Sequence, residues 1–326
     1  SSYVPQSIKR LSITGVEGGS WGKFFGEKSF PQDIEELVLP NGITSIGQGS
    51  FEYCTRLTNL IIPDSVIRIG EKAFANFVAL EKVTIPENVT TICDFAFENC
   101  TGLVSVTMSN SVTSIGNRAF AGCDNLSTVV LPAKATFLGQ SAFSGCSKLT
   151  YVVIPEGITG IDGYTFSECN SLTGVIIPQS VKSISYCAFI NCYKLSDIEL
   201  PIGLTSIADS VFQGCSSLKN VLLPESLSSI GKSAFASCRS LTSVVISEGV
   251  TSIGESAFYG CSSLTSIVIP EGVTSIGDET FFGCSSLTSV AIPKGVTSIG
   301  KSAFYGCSSL TSIVIPEGVT SIGDET

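Results

Sequence analysis

Leu264-Thr-Ser-Ile267-Val-Ile269-Pro270-Glu-Gly-Val273-Thr-Ser-Ile276-Gly277-Asp-Glu-Thr-Phe281-Phe-Gly-Cys284-Ser-Ser286 is one copy of a 23-residue unit, and most of the chain consists of such copies. Stepping by that length from Pro270 meets proline at 40, 63, 86, 132, 155, 178, 201, 224, 293 and 316, with Ser109 and Ser247 in the two vacant slots. Phenylalanine fills every slot from Phe51 to Phe304, and leucine every slot from Leu57 to Leu310. Eleven of the 13 cysteines keep the same step from Cys54 to Cys307, with Phe77 as the one substitute. A period this strict, with no insertion, marks a repeat array in which each unit stacks on the last in the same way.

Within the unit, Ile267-Val268-Ile269 alternates inward and outward as a short strand, and Pro270 ends it by withholding a ladder donor. Val273 and Ile276 point inward from a second extended segment in which β-branched residues favour strand over helix. Phe281, Cys284 and Leu287 are spaced by three, which predicts one turn of 3₁₀ or α-helix on the outer, convex side. A segment of 23 residues cannot bury seven apolar slots by itself, so adjacent coils must cover one another. Parallel-sheet spacing sets the coils roughly 4.8 Å apart.

The whole-chain numbers agree. The 326 residues are 43% hydrophobic and 14% charged, too apolar for a disordered chain. A net charge of −10 disfavours phosphate-rich partners, whose affinity comes from Lys and Arg releasing counterions, so neither nucleic acid nor an anionic membrane is expected as a partner. No run of 18 or more apolar residues is present, so no membrane insertion is expected of this chain. Residues 1–33 break the period and read as an N-terminal cap or irregular first repeat containing the single tryptophan, Trp21. Residues 34–326 read as about twelve repeats, the last unfinished at Thr326 as though the native chain continued. Open ends of such an array also leave end-to-end pairing between copies as an expectation.

The pattern L-x-x-I-x-I-P-x-x-V-T-S-I-G-x-x-A-F-x-x-C resembles the BspA-like, or treponemal-type, leucine-rich repeats over about residues 34–326. The resemblance implies a β-rich right-handed solenoid with a parallel sheet from the first strands on the concave face and short helical or 3₁₀ turns on the convex face. It further implies a secreted or cell-surface protein of a bacterium or protozoan parasite, whose family members adhere to host extracellular proteins or other cells.

Chemistry is sparse. With no histidine in the chain, the Ser-His and Cys-His dyads, most zinc sites and the commonest general base are absent, and no catalytic residue, metal site or cofactor is expected. The phased cysteines face inward one coil apart; parallel Cβ atoms at coil spacing lie farther apart than the ~3.8 Å typical of a disulfide, which favours a ladder of reduced thiols. Function is expected instead on the outward side of the first strand. There an aliphatic stripe runs through Val130, Val153, Ile176, Leu222, Val245 and Val268, interrupted by Glu199 and flanked by Tyr151 and Asp197. Exposed apolar stripes mark interaction sites, and an extracellular or cell-surface protein is the expected partner. Two alternatives stand beside it: a structural spacer that projects another domain from the cell surface, and a carbohydrate-binding module. The glutamates after the proline, such as Glu225, Glu248 and Glu271, read as solvated turn residues that keep the array soluble.

Overall fold

The computed structural model describes residues 9–12, 19–21 and 33–326, and the chain divides into two compact units, 1–158 and 159–326. Each unit is a parallel β-solenoid, and no helix occurs among the described residues.

In the first unit the first strands of successive coils form two ladders. Arg10–Ser12 pairs with Glu36–Val38 and that with Asn59–Ile61, while Lys82–Ile85, Ser105–Met108 and Thr128–Val129 make the other. The second strands run in one sheet from Gly19–Trp21 through Ile43–Ile46 to Phe137–Leu138. The expected cap over residues 1–33 falls largely outside the described residues, as does the Trp21 side chain; the two described segments pair in parallel with the next coil as strands of a further coil would. In the second unit the first strands Gly174–Ile176, Asp197–Glu199, Asn220–Leu222, Ser243–Val245, Ser266–Val268 and Ser289–Ala291 pair in sequence. Their register advances by one unit per coil, with Ile198 opposite Val221, Val221 opposite Val244, and Val244 opposite Ile267.

This register turns each slot of the repeat into a column. The phenylalanines are the clearest: Phe97 and Phe120 stack at 5.2 Å between ring centroids in the first unit, and Phe189 and Phe212 at 5.8 Å in the second. Interior rings from Phe51 to Phe281 are fully buried. Each contributes roughly 1.5–3 kcal/mol of burial, with about 0.5–1.5 kcal/mol more from ring stacking.

The turn edge departs from the expected helical turn. Cys100 N–H donates to the Phe97 carbonyl at 3.3 Å and Leu103 N–H to the Cys100 carbonyl at 3.0 Å, yet these bends do not join into a helix. The reason lies in the backbone two residues either side of the phenylalanine. Phe95 has φ +59° and Asn99 φ +56°, and Ser210 at +56° and Gly214 at +77° repeat the pattern in the second unit. Left-handed residues at every such position prevent consecutive helical bonds. They turn alternate amides toward the following coil instead: Phe95, Phe97 and Asn99 N–H donate to Asn117, Ala119 and Ala121 carbonyls at 2.8, 2.8 and 2.7 Å. A third ladder therefore ties the coils together, and its bonds offset the strain of the non-glycine left-handed positions, about 1–3 kcal/mol each.

The cysteine column has its own ladder. Cys123 Sγ donates to the Phe97 carbonyl of the preceding coil at 3.2 Å, a carbonyl that also accepts Cys100 N–H, and Cys238 Sγ donates to Phe212 at 3.1 Å. All 13 cysteines are free thiols. A small side chain carrying one weak donor suits a buried slot facing a carbonyl with a spare lone pair.

Serine in a proline slot is less well served. Ser109 Oγ donates to the Pro86 carbonyl at 3.0 Å, whereas Ser247 Oγ is buried without a partner. Ser247→Pro is expected to raise stability by about 1–2 kcal/mol, combining a stiffer unfolded chain with removal of an orphan hydroxyl. Ser109→Pro loses a bond and gains less. Urea denaturation of the two variants checks the difference.

Candidate interaction face

The first strand places its middle residue in the core and its two neighbours in solvent. In the second unit Val221, Val244 and Ile267 are buried, while Leu222, Val245 and Val268 are 75%, 68% and 65% exposed. Glu199 pairs in register with Leu222, and Leu222 with Val245, so the exposed slots line up across hydrogen-bonded strands. Ile176 is 51% exposed, and Asp197 stands in the neighbouring outward column beside Asn220. The expected stripe residues of this unit are thus exposed together on one face.

In the first unit Val130, Tyr151 and Val153 are likewise exposed, and with Val129, Leu131, Ala133 and Pro155 they line a concavity of about 320 Å³. A larger hollow of about 620 Å³, which the sequence does not single out, lies where the ladder ending at Asn59–Ile61 gives way to the one starting at Lys82–Ile85. Asp64, Lys82, Thr84, Glu87 and Thr107 line it. Phe77, standing in the cysteine slot just before Lys82 and packed edge-on against Phe74 at 5.7 Å, is the one sequence signal near that interruption.

The exposed aliphatic column of the second unit has a charged border. Glu225, Glu248 and Glu271 each lie three residues beyond a stripe residue, past the proline or serine that ends the strand. All three are exposed, and none makes an ion pair among the described residues. The opposite border, Lys219, Thr242 and Thr265, carries no carboxylate.

The thiols of the buried column offer no comparable reactivity. Burial pushes Cys54, Cys215 and Cys261 up to about 12, which keeps them protonated and poorly nucleophilic. No cluster of three or more His, Cys, Asp or Glu side chains is placed to hold a metal ion among the described residues. No helix among them is long and apolar enough to cross a membrane.

The model of the BspA type leucine-rich repeat region matches residues 24–150, 136–265 and 228–326, nearly the whole chain. The chain belongs to the BspA-type leucine-rich repeat family. A leucine-rich repeat protein from Bacteroides ovatus is similar to this BspA-type chain at 33% identity and TM-score 0.78, over 86% of this chain and 79% of that one. A leucine-rich cell surface protein from Faecalibacterium prausnitzii aligns at 28% identity and TM-score 0.55, covering 98% of this chain and 88% of its own. The fold is shared with a leucine-rich repeat protein from Eubacterium ventriosum at 22% identity and TM-score 0.61, covering 94% and 92%. A search of curated proteins found no match. A BspA-type solenoid of this kind is a protein-interaction scaffold, with relatives that include a cell-surface protein.

Proposed function

We propose that this BspA-type protein is secreted or displayed at a cell surface and adheres to extracellular proteins through the outward side of its first strands. The observation that supports the reading is the in-register column Leu222, Val245 and Val268, each about two-thirds or more exposed on hydrogen-bonded strands. A folded monomer that leaves branched aliphatics uncovered at successive coils carries a surface suited to a partner. Val130, Tyr151 and Val153 supply a comparable apolar patch in the first unit, while Asp197 and Glu199 add acidic groups to the second.

The test replaces Leu222, Val245 and Val268 together with serine and measures solid-phase binding to purified extracellular matrix glycoproteins. Because these side chains lie outside the core, circular dichroism and thermal midpoint are expected to stay near wild type. Binding is expected to weaken by about tenfold or more, the effect of truncating central apolar contacts. Unchanged binding by the folded variant would remove the proposed role of this face.

A further inference from the structure

We infer that the occupant of the second unit's face is a basic amphipathic helix laid along the array, with its apolar stripe on Leu222, Val245 and Val268 and its cations over Glu225, Glu248 and Glu271. This rests on the reading above and adds the chemistry of the partner.

Two observations carry it, one of spacing and one of charge. Hydrogen-bonded parallel strands set the aliphatic side chains about 4.8 Å apart from coil to coil, so the span from Leu222 to Val268 is close to 10 Å. One face of an α-helix recurs every 5.4 Å, and two turns cover about 11 Å. Same-face residues of an extended segment recur at about 6.8 Å, and two such steps overshoot to about 14 Å. A helix therefore keeps register with the column over all three coils, and a strand running the same way does not. Apolar anchors on a helix at i, i+3 or i+4, and i+7 are the ordinary way such a face is filled.

The charge is one-sided. Each glutamate is separated from its aliphatic neighbour by three residues, at most about 10 Å of extended chain and within reach of a lysine extending from the helix flank. Glu225, Glu248 and Glu271 repeat at coil spacing with no ion-pair partner among the described residues, and Lys294 ends the row in the next coil. Like charges held in a row without compensation favour a cationic strip of matching length, and at this range salt only partly screens the attraction. The border opposite, Lys219, Thr242 and Thr265, offers a cation no carboxylate to pair with. A helix with lysine or arginine on one edge of its apolar stripe fits both borders.

The test uses the full chain and three synthetic peptides: leucine and lysine in helical period, the same composition in strict alternation, and leucine with glutamate in helical period. Titration calorimetry is expected to rank the first about tenfold or more above the other two, with its affinity falling as salt rises. The triple change Glu225→Gln, Glu248→Gln and Glu271→Gln is expected to weaken the helical lysine peptide about tenfold and to flatten its salt dependence. Equal binding of the glutamate or the alternating peptide overturns the inference. So does indifference to the glutamine substitutions, and if the serine variant still loses matrix binding, the interaction face itself stands. If neither the serine nor the glutamine variant changes binding, the face and its partner fall together.

Discussion

Phe189→Ala is expected to remove about 3–5 kcal/mol from the second unit, the cost of deleting a large ring and leaving its cavity. The ring is fully buried between Phe166 at 5.6 Å and Phe212 at 5.8 Å, and the coils on both sides depend on it. Its neighbours cannot close the gap, because their backbones are fixed by three ladders. Phe304 stacks on Phe281 and is already 9% exposed, so Phe304→Ala should cost roughly half as much. Urea denaturation followed by circular dichroism measures both, and equal losses at the two positions would contradict the column picture. Hydrogen exchange should localise the damage, since an array of nearest-neighbour contacts transmits it mainly to adjacent coils.

The second large effect is on alkali. Burial raises the thiols of Cys192, Cys215, Cys238, Cys261, Cys284 and Cys307 in the second unit, Cys215 and Cys261 to about 12 and Cys307 to about 11. An unfolded chain releases these protons near the ordinary thiol value of 9 while the folded chain still holds them. The folded pKa is the higher one, so the stabilisation is complete below about pH 9 and is lost as pH climbs from there through the folded values. Six protons retained on folding correspond to a slope of about 8 kcal/mol per pH unit, comparable to the whole stability of a domain. The protein is therefore expected to unfold cooperatively between about pH 9 and pH 11. Changing Cys238 and Cys261 to alanine should reduce the slope by the share of two protons, although it lowers stability at neutral pH. Urea titrations at a series of pH values read the slope directly, and a flat profile up to pH 11 would show that the column is not the source.

Most of the architecture was legible because the repeat is nearly free of exceptions. Val221 between Asn220 and Leu222 declares its own inward direction, and the same triplet in the next coil repeats it. The exposed stripe follows from that alternation, since its residues are the partners of buried ones. The turn edge was not legible for a physical reason. Phe95, Ser210 and Glu279 occupy left-handed backbone positions that sequence reading reserves for glycine or asparagine, and what holds them there is the bond to the next coil. The interruption between Asn59–Ile61 and Lys82–Ile85 was equally hidden, because the sequence carries only the Phe77 substitution nearby. The acidic border reads in the sequence as solvated turn residues, and its place beside the uncovered aliphatics is visible only once the strands are in register.

The three ladders have a further consequence for how such a gene can vary. Alternate amides at the turn edge look forward to a carbonyl 22 residues on, as Phe235 does to Ala257, while strand pairs look across 23. Losing or gaining a single codon inside a coil would misalign all of these pairings at once, whereas adding or excising a complete coil misaligns none. Residues 256–280 and 302–326 are identical, the trace that unequal recombination between in-phase copies would leave. Molecules of this design can thus change their reach between generations in whole-coil steps while every internal junction stays as it was.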